Sequence, residues 1–307
     1  MKERQGTWLG QGAILCCAIL WSTSGLFIKL LNWHPLLIAG GRSAIAALFL
    51  FTIRRVRLRI GAVPPPSSRF PVILAGSLAY AATMISFVWA NKLTTSANAI
   101  LLQYTAPVWA ALLGWRLIGE KPRWFHWAAL ALVLGGLCVF FREDLRGGAF
   151  GRTALGDLVA LASGLFFGAH SVFLRMQRRG NPVDSMLGAH LICAAAAIPF
   201  FFIFPPGFNS TSLGAMGFMG LIQIGLASQL FAFGIRRVQA MQALLIAMIE
   251  PVLNPLWVFA FTGERPSPAA FAGGLVIILA VLFSSVLGVR YPLRNESPKP
   301  LRGDSDN

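Results

Sequence analysis

Long apolar runs separated by short polar and basic segments dominate the chain. Each run is about 17 to 25 residues long, the length with which a helix crosses the hydrocarbon core of a bilayer. The predicted spans lie at residues 8–31, 35–53, 71–91, 95–118, 124–141, 154–177, 184–204, 212–235, 239–262 and 267–289. The sequence lacks the strict apolar and polar alternation of membrane barrel strands. The pattern therefore predicts an all-α integral membrane protein with ten transmembrane helices.

Composition and charge place this protein in the membrane with a defined orientation. Only 12% of residues are charged and 56% are hydrophobic, and this charged fraction is about half the usual one in soluble domains. Basic residues gather in alternate loops, and the other loops hold only Lys92, Arg142, Arg146, Arg152 and Arg265. The positive-inside rule then predicts a multi-pass protein of the cell (inner) membrane with both termini in the cytoplasm. Membrane lipids are the expected partners of the +15 net charge, because the basic patch with stacking aromatics that marks nucleic-acid binding is absent from the sequence.

The chain contains an internal repeat. Residues 104–122 align without gaps on residues 248–266, with six identities in nineteen positions. Both copies contain a Pro-Val pair and end in Gly-Glu, a basic residue and Pro. The first spans of the two halves also correspond, with Lys29 opposite Arg175. Self-similarity over this length indicates a duplication.

The duplication predicts two repeats of opposite orientation. Each copy contains five predicted spans, so the second copy must enter the membrane from the other side. We expect five-helix repeats at 1–148 and 149–290 and a disordered cytoplasmic tail at 291–307. Inverted repeats are typical of secondary transporters, which expose a site near the midplane to alternate sides. The Gly-Glu turns at Gly119 and Gly263 are interpreted as helix caps.

These segments resemble the EamA repeat of the drug/metabolite transporter superfamily. Its members carry ten spans in two copies, each with a Pro followed by Gly-Glu-Arg or Gly-Glu-Lys. The segment WSTSGLFIK at residues 21–29 is similar to the first-span signature of that family. The resemblance covers about residues 10–290 and is most like the YddG-type exporters of aromatic amino acids. One departure is that the first copy has Ala106 where the second has Glu250.

Glu250 is the only charged residue between positions 240 and 262. An ionised group in mid-span costs roughly 2.5 to 3.5 kcal/mol on insertion scales, so it requires a polar cavity or an internal hydrogen bond. Pro251 and Pro255 break the helix beside it, and broken backbone is tolerated where it is buried or lines water. Two interpretations stay open. Glu250 either faces a central cavity, where it binds a substrate ammonium or carries a coupling proton, or it is a structural carboxyl.

Other candidates for substrate binding come from corresponding spans of the two halves. The predicted set comprises Trp21, Ser22, Tyr80, Gln103, Tyr104, Trp109, His170, Gln223, Glu250 and Asn254. Aromatic walls with a few convergent polar groups suit a small amphiphilic ligand. Each aromatic taken alone is also compatible with packing or lipid contact. Arg42 could pair with a carboxylate, but the expectation is that it snorkels to the nearby surface.

The sequence argues against other functional classes. The four histidines lie in loops and different spans, and no HExxH, GxSxG or P-loop pattern occurs. We therefore predict no enzyme activity, no metal, no cofactor and no direct use of ATP. A channel is disfavoured because the sequence has no filter-like loop or ring of like charges. The expectation is a secondary transporter that exports small amphiphilic metabolites, aromatic and other apolar amino acids foremost, with protons as the candidate coupling ion; a drug or other metabolite carrier of the same superfamily is the alternative.

Overall fold

The computed structural model describes residues 2–23, 27, 31, 33–61, 68–93, 96–140, 142, 154–253, 257, 260 and 268–291. Every regular element in these residues is helical. The α-helices are Lys2–Ser22 (α1), Pro35–Arg59 (α2), Phe70–Leu93 (α3), Ser96–Gln103 (α4), Ala106–Ile118 (α5), Trp124–Phe140 (α6), Ala154–Met176 (α7), Val183–Ile203 (α8), Ser210–Phe218 (α9), Ala227–Ile235 (α10), Ala240–Ala247 (α11) and Pro268–Arg290 (α12).

Several helices are long and apolar enough to cross a bilayer. In the described part of the chain these segments are Pro35–Arg59, Phe70–Ala90, Ala154–Met176, Val183–Ile203, Ser210–Ile235 and Phe271–Arg290. Large apolar side chains on the outer surface are exposed, such as Phe70 at 70% and Phe202 at 78%, as expected of a surface that contacts lipid. The all-α prediction is confirmed for the described residues, and the helices fit a multi-pass membrane protein. The arrangement as two inverted five-helix repeats stays a prediction.

The fourth and ninth predicted spans are interrupted at matching places. In the fourth span, a turn at residues 104–105 separates α4 from α5, which has Pro107 in its first turn. In the ninth span, α11 ends at Ala247, and helix resumes at Glu250, just before Pro251. Proline has no amide proton to continue a helix, and its ring clashes with the carbonyl one turn earlier. Each proline therefore places non-helical backbone within its span.

The eighth predicted span is continuous but changes its winding. A π-helical segment, Met219–Leu226, joins α9 to α10. A Cβ on Gly220 would lie 2.5 Å from the Cβ of Ile45, so only glycine lets this segment pack so close to α2. Segments of π-helix occur frequently at functional sites. Gln223, a predicted site residue, lies in this segment.

Helices of the first half pack on helices of the second. Helix α1 packs against α10, α2 against α8, α3 against α7, and α6 against α12. The largest core cluster takes buried side chains from both halves, including Ile14, Leu137, Phe231 and Ile277. The interior of the bundle therefore lies between the two halves of the sequence.

Gly119 ends α5 in the predicted way. Its φ of 71° lies in the left-handed region, which favours glycine. The amides of Gly119 and Glu120 donate to the carbonyl oxygens of Trp115 and Gly114, respectively. These bonds satisfy carbonyls that the helix end would leave free. The cap prediction is confirmed for the first copy, whereas Gly263 of the second copy lies outside the described residues.

Candidate functional site

A hydrogen bond between the two interrupted spans forms the centre of the candidate site. The Tyr104 hydroxyl donates to Oε2 of Glu250 at 3.0 Å. Tyr104 lies in the turn after α4, and Glu250 follows the break after α11, so the two interruptions meet here. Tyr104 is buried, whereas Glu250 keeps part of its surface accessible. The carboxyl therefore has an internal partner, and the residue as a whole is not fully enclosed.

Arg42 lies about two turns into α2. Its Nε atom is buried and has no hydrogen-bond partner among the described residues, whereas the residue as a whole keeps part of its surface accessible. Its carbonyl oxygen lies 3.1 Å from the place of a Cβ on Gly220, so this turn of α2 packs on the π-helical segment. That the head of the Arg42 side chain snorkels to the surface stays a prediction.

Tyr80 contacts two histidines inside the bundle. Its ring stacks on His170 with 4.3 Å between ring centroids and meets the His190 ring edge-on at 5.8 Å. The Nδ1 atom of His170 lies 2.9 Å from the Gly76 carbonyl oxygen, which can only accept, so Nδ1 carries the proton. Nε2 of His190 lies 3.2 Å from Oγ of Ser228. The second ring nitrogen of each histidine is buried without a partner in the described part of the chain.

Trp21 forms an aromatic wall across the two halves. Its ring centroid lies 5.9 Å from that of Phe167 and 5.3 Å from that of Phe231. The Trp21 carbonyl oxygen accepts a hydrogen bond from Nε2 of Gln223 at 3.4 Å. The amide oxygen of Gln223 is buried and has no partner among the residues described. Phe167 and Phe231 are buried in the largest core cluster, so the wall is packed apolar material with an amide at its edge.

Ser22 and Gln103 use their polar atoms between helices. The Trp257 indole donates to Oγ of Ser22 at 2.8 Å, which ties the ninth span to α1. Nε2 of Gln103 donates to Oγ of Ser163 at 2.9 Å, which ties α4 to α7. These bonds position both side chains, and Gln103 stays partly exposed. Asn254, predicted beside Glu250, lies outside the described residues.

Trp109 lies where α7 covers the break between α4 and α5. Its indole donates to Oγ1 of Thr105 at 3.2 Å. A Cβ on Gly164 would come 2.7 Å from Oγ1 of Thr105, and one on Gly168 would come 2.7 Å from Cβ of Trp109. Small residues of this kind let membrane helices approach closely. The hydrogen bond of Gln103 to Ser163 and the close packing of Trp109 on Gly168 thus fix the break against α7.

The predicted set converges in part. Tyr104 and Glu250 form one contact pair, and Tyr80, His170 and His190 form a group of rings in contact; we call these five residues the polar cluster. Sequence reasoning missed His190 as a member, because a helix that is apolar all round does not reveal which side points inward.

A second charged cluster lies where α5 and α7 end. Oε1 of Glu120 accepts a hydrogen bond from Nε of Arg175 at 2.6 Å and lies 3.4 Å from Nη1 of Arg178. Nη1 of the buried Arg175 also donates to the Ile235 carbonyl oxygen at 3.0 Å. Desolvation and the charge of Arg175 lower the pKa of Arg178, and Glu120 opposes this shift. This cluster ties the end of α5 to the ends of α7 and α10.

The polar cluster offers one carboxyl and several neutral donors and acceptors, and Tyr104 shares a core cluster with the aromatic wall. Groups of this kind can hold a small molecule with an apolar body and a polar head. Among the described residues, no three His, Cys, Asp or Glu side chains are grouped so that they could hold a metal ion.

Comparisons with known proteins agree with this architecture. The uncharacterized transporter YwfM of Bacillus subtilis is 25% identical over 89% of this chain and 92% of its own length. The uncharacterized inner membrane transporter YedA of Escherichia coli is 24% identical over 92% of each chain. The pseudopaline exporter CntI of Pseudomonas aeruginosa is 23% identical over 78% of this chain and 82% of its own. One solved crystal structure of a protein, 24% identical, covers 93% of this chain and 98% of its own with a TM-score of 0.76, which shows the fold.

A match to a family model identifies the family to which the chain belongs. The model of the EamA-like transporter family matches residues 8–142 and, a second time, residues 154–286. Its members are membrane transporters, in agreement with the apolar helices described above. With both matches together spanning most of its length, the chain belongs to the EamA-like transporter family.

Proposed function

We propose that the protein is a secondary transporter that exports small amphiphilic metabolites, with aromatic and other apolar amino acids foremost, from the cytoplasm by alternating access. The observation that carries this proposal is the Tyr104–Glu250 hydrogen bond, which joins the two interrupted spans beside an aromatic wall. Secondary transporters build their sites from interrupted helices at the interface of two repeats.

The packing of the helices supports the inverted repeat. In the proposed repeat, α1 corresponds to α7, and α3 corresponds to the span that contains α10. The contact between α1 and α10 therefore has a counterpart between α7 and α3, and both contacts occur. The pairs α2–α8 and α6–α12 each join two corresponding spans. A pair of repeats that can rock about such an axis would expose the site to each side in turn.

The orientation of the protein in the membrane is inferred from its charge distribution, and the direction of transport is inferred from its relatives. The distribution of lysine and arginine supports cytoplasmic termini. CntI is named an exporter, and the sequence resembles the YddG-type exporters, so outward movement of a metabolite is the natural assignment. The uncharged wall of Trp21, Phe167 and Phe231 favours substrates with an apolar body.

Uptake of radiolabelled compounds into proteoliposomes, with and without a pH gradient, tests the proposal. We expect saturable transport of phenylalanine or a related apolar amino acid, and no transport of large nucleotide sugars. A response to the pH gradient would support protons as the coupling ion, with Glu250 as the carrier. Robust transport of a nucleotide sugar and of no amino acid would overturn the assignment.

A further inference from the structure

A small cavity lies at one end of the bundle, apart from the polar cluster. The start of α1, the start of α6, the junction of α10 with α11 and the end of α12 meet there. Its polar lining includes Thr7, Arg123, His126, Arg237, Gln242 and Tyr291, and none of the described residues that line it is acidic. The enclosed part measures about 10 Å³, which holds a single group of the size of a water molecule.

Two buried donors form the inner wall of this cavity. His126 and Gln242 are only 2% and 3% exposed. The amide of Arg123 donates to Nδ1 of His126 at 3.2 Å, so the neutral ring carries its proton on Nε2. Nε2 of His126 and Nε2 of Gln242 are both buried without a hydrogen-bond partner among the described residues. Buried donors are bonded in nearly all native proteins, so the inner wall requires an acceptor.

Two arginines form the outer wall, and aromatic rings hold both of them. The guanidinium carbon of Arg123 lies 5.4 Å from the ring centroid of Tyr291, and that of Arg237 lies 3.4 Å from the ring centroid of Phe233. Both arginines keep part of their surface accessible. Neither is in an ion pair in the described part of the chain. The outer wall therefore adds two positive charges without a fixed counter-ion.

We propose that this cavity is a binding site for a phosphate group. One anionic oxygen enters the enclosed part and accepts hydrogen bonds from His126 and Gln242. The other oxygens bind the guanidinium groups of Arg123 and Arg237, since arginine can donate two parallel hydrogen bonds to a phosphate. The group belongs either to a phospholipid headgroup or to a free phosphate ion. The site is independent of the proposed transport function.

A water molecule has the right size for the enclosed part but not the right chemistry. It accepts hydrogen bonds but brings no charge, so both arginines would stay without a counter-ion. A phosphate group brings negative charge together with several strong acceptor oxygens. It therefore answers the inner and the outer wall at once.

The surface around the cavity favours a lipid as the source of the phosphate. The exposed rings of Trp8 and Trp124 directly follow two lining residues, Thr7 and Arg123, in the sequence. Tryptophan is enriched at the level of the lipid headgroups. The open side of the cavity thus lies at the depth at which lipid phosphates are found.

Titration of the purified full chain in an uncharged detergent tests the site on the native protein. The ligands are dihexanoylphosphatidylglycerol, inorganic phosphate and dihexanoylglycerol, which has the same chains without a phosphate, at constant ionic strength. Binding is measured as a rise in melting temperature, because a ligand of the folded state stabilises it. We expect a saturable rise with phosphatidylglycerol and none with dihexanoylglycerol. A rise with inorganic phosphate as well would show that the free ion suffices, and a rise with the lipid alone would identify the headgroup as the source.

Substitutions assign the binding to the cavity. Arg123→Gln and Arg237→Gln should each weaken the apparent affinity about tenfold, since a hydrogen bond from a charged group is worth about that factor. Gln242→Met removes the buried amide; the affinity should fall, while the melting temperature without ligand stays close to the native value. Arg290→Gln is the matched control, because Arg290 is exposed in the last turn of α12 and does not line the cavity. This control should keep the native affinity.

Three results would overturn the phosphate site. The first is a native protein whose melting temperature responds to neither the lipid nor inorganic phosphate, which would leave water as the occupant. The second is an equal loss of affinity in Arg290→Gln and Arg237→Gln, which would indicate general attraction to surface charge. The third is an unchanged affinity in Gln242→Met, which would contradict the entry of an oxygen into the enclosed part.

Discussion

At the residue scale, the Tyr104 hydroxyl and the Glu250 carboxyl depend on each other. The hydroxyl of the buried Tyr104 has Glu250 as its acceptor, and a buried hydroxyl without an acceptor costs about 1 to 3 kcal/mol. An amide oxygen can accept the same bond, but an amide neither carries a negative charge nor exchanges a proton at neutral pH. Substitutions at Glu250 can therefore separate its structural contribution from its charge.

We expect Glu250→Gln to keep a thermal stability close to the native value and to impair transport. Glu250→Ala should lower the free energy of unfolding by about 1 to 3 kcal/mol, because Tyr104 loses its acceptor. Thermal unfolding, gradient-driven uptake and exchange should be measured on both variants. Loss of the pH response alone would indicate a proton carrier, and weaker exchange would indicate substrate binding. A Glu250→Gln protein that transports normally at every pH would exclude both roles.

At the element scale, the sequence predicts where helices lie better than it predicts their winding or their rotation about the helix axis. The breaks at 104–105 and 248–249 follow from Pro107 and Pro251, because proline acts locally. The π-helical winding of the eighth span comes with close packing on α2, which local sequence does not specify. The burial of the Arg42 Nε atom depends on the rotation of α2 about its axis. Apolar residues on every side of α2 leave that rotation undetermined.

Helices α6 and α12 cross where two glycines meet. A Cβ on Gly136 would lie 2.8 Å from Cγ1 of Ile277 and 3.0 Å from the Gly273 carbonyl oxygen, whereas one on Gly135 meets nothing within 4 Å. We expect Gly136→Ala to lower the melting temperature, because the helices must separate. Gly135→Ala should leave it unchanged or raise it slightly, since alanine favours helix. Equal melting temperatures of the two variants would contradict the close crossing.

At the scale of the whole molecule, a charged cluster joins the two halves at one end. Glu120 comes from the first half, and its partners Arg175 and Arg178 come from the second. In the proposed orientation this end faces the cytoplasm. Alternating access requires that contacts of this kind open when the site faces that side and form again when it closes.

Glu120→Gln tests how firmly this cluster holds the halves together. The Arg175–Glu120 pair is buried, with side-chain exposures of 4% and 9%, and removal of one partner of a buried pair costs about 3 to 5 kcal/mol. Arg54→Gln is the matched control, because Arg54 is 56% exposed in its pair with Asp184 and such pairs contribute about 0 to 1 kcal/mol. We expect a much larger loss of melting temperature for Glu120→Gln. Similar small losses for both variants would show that the cluster does not stabilise this conformation.

Counterflow in proteoliposomes tests the central claim of a carrier with alternating access most directly. Vesicles are loaded with unlabelled phenylalanine and diluted into a trace of the radiolabelled compound. The account predicts transient accumulation of label above its external concentration, because a site that opens to one side at a time exchanges substrate for substrate. Label that only equilibrates, at a rate independent of internal phenylalanine, together with sustained single-molecule ion currents, would contradict the account and indicate a channel.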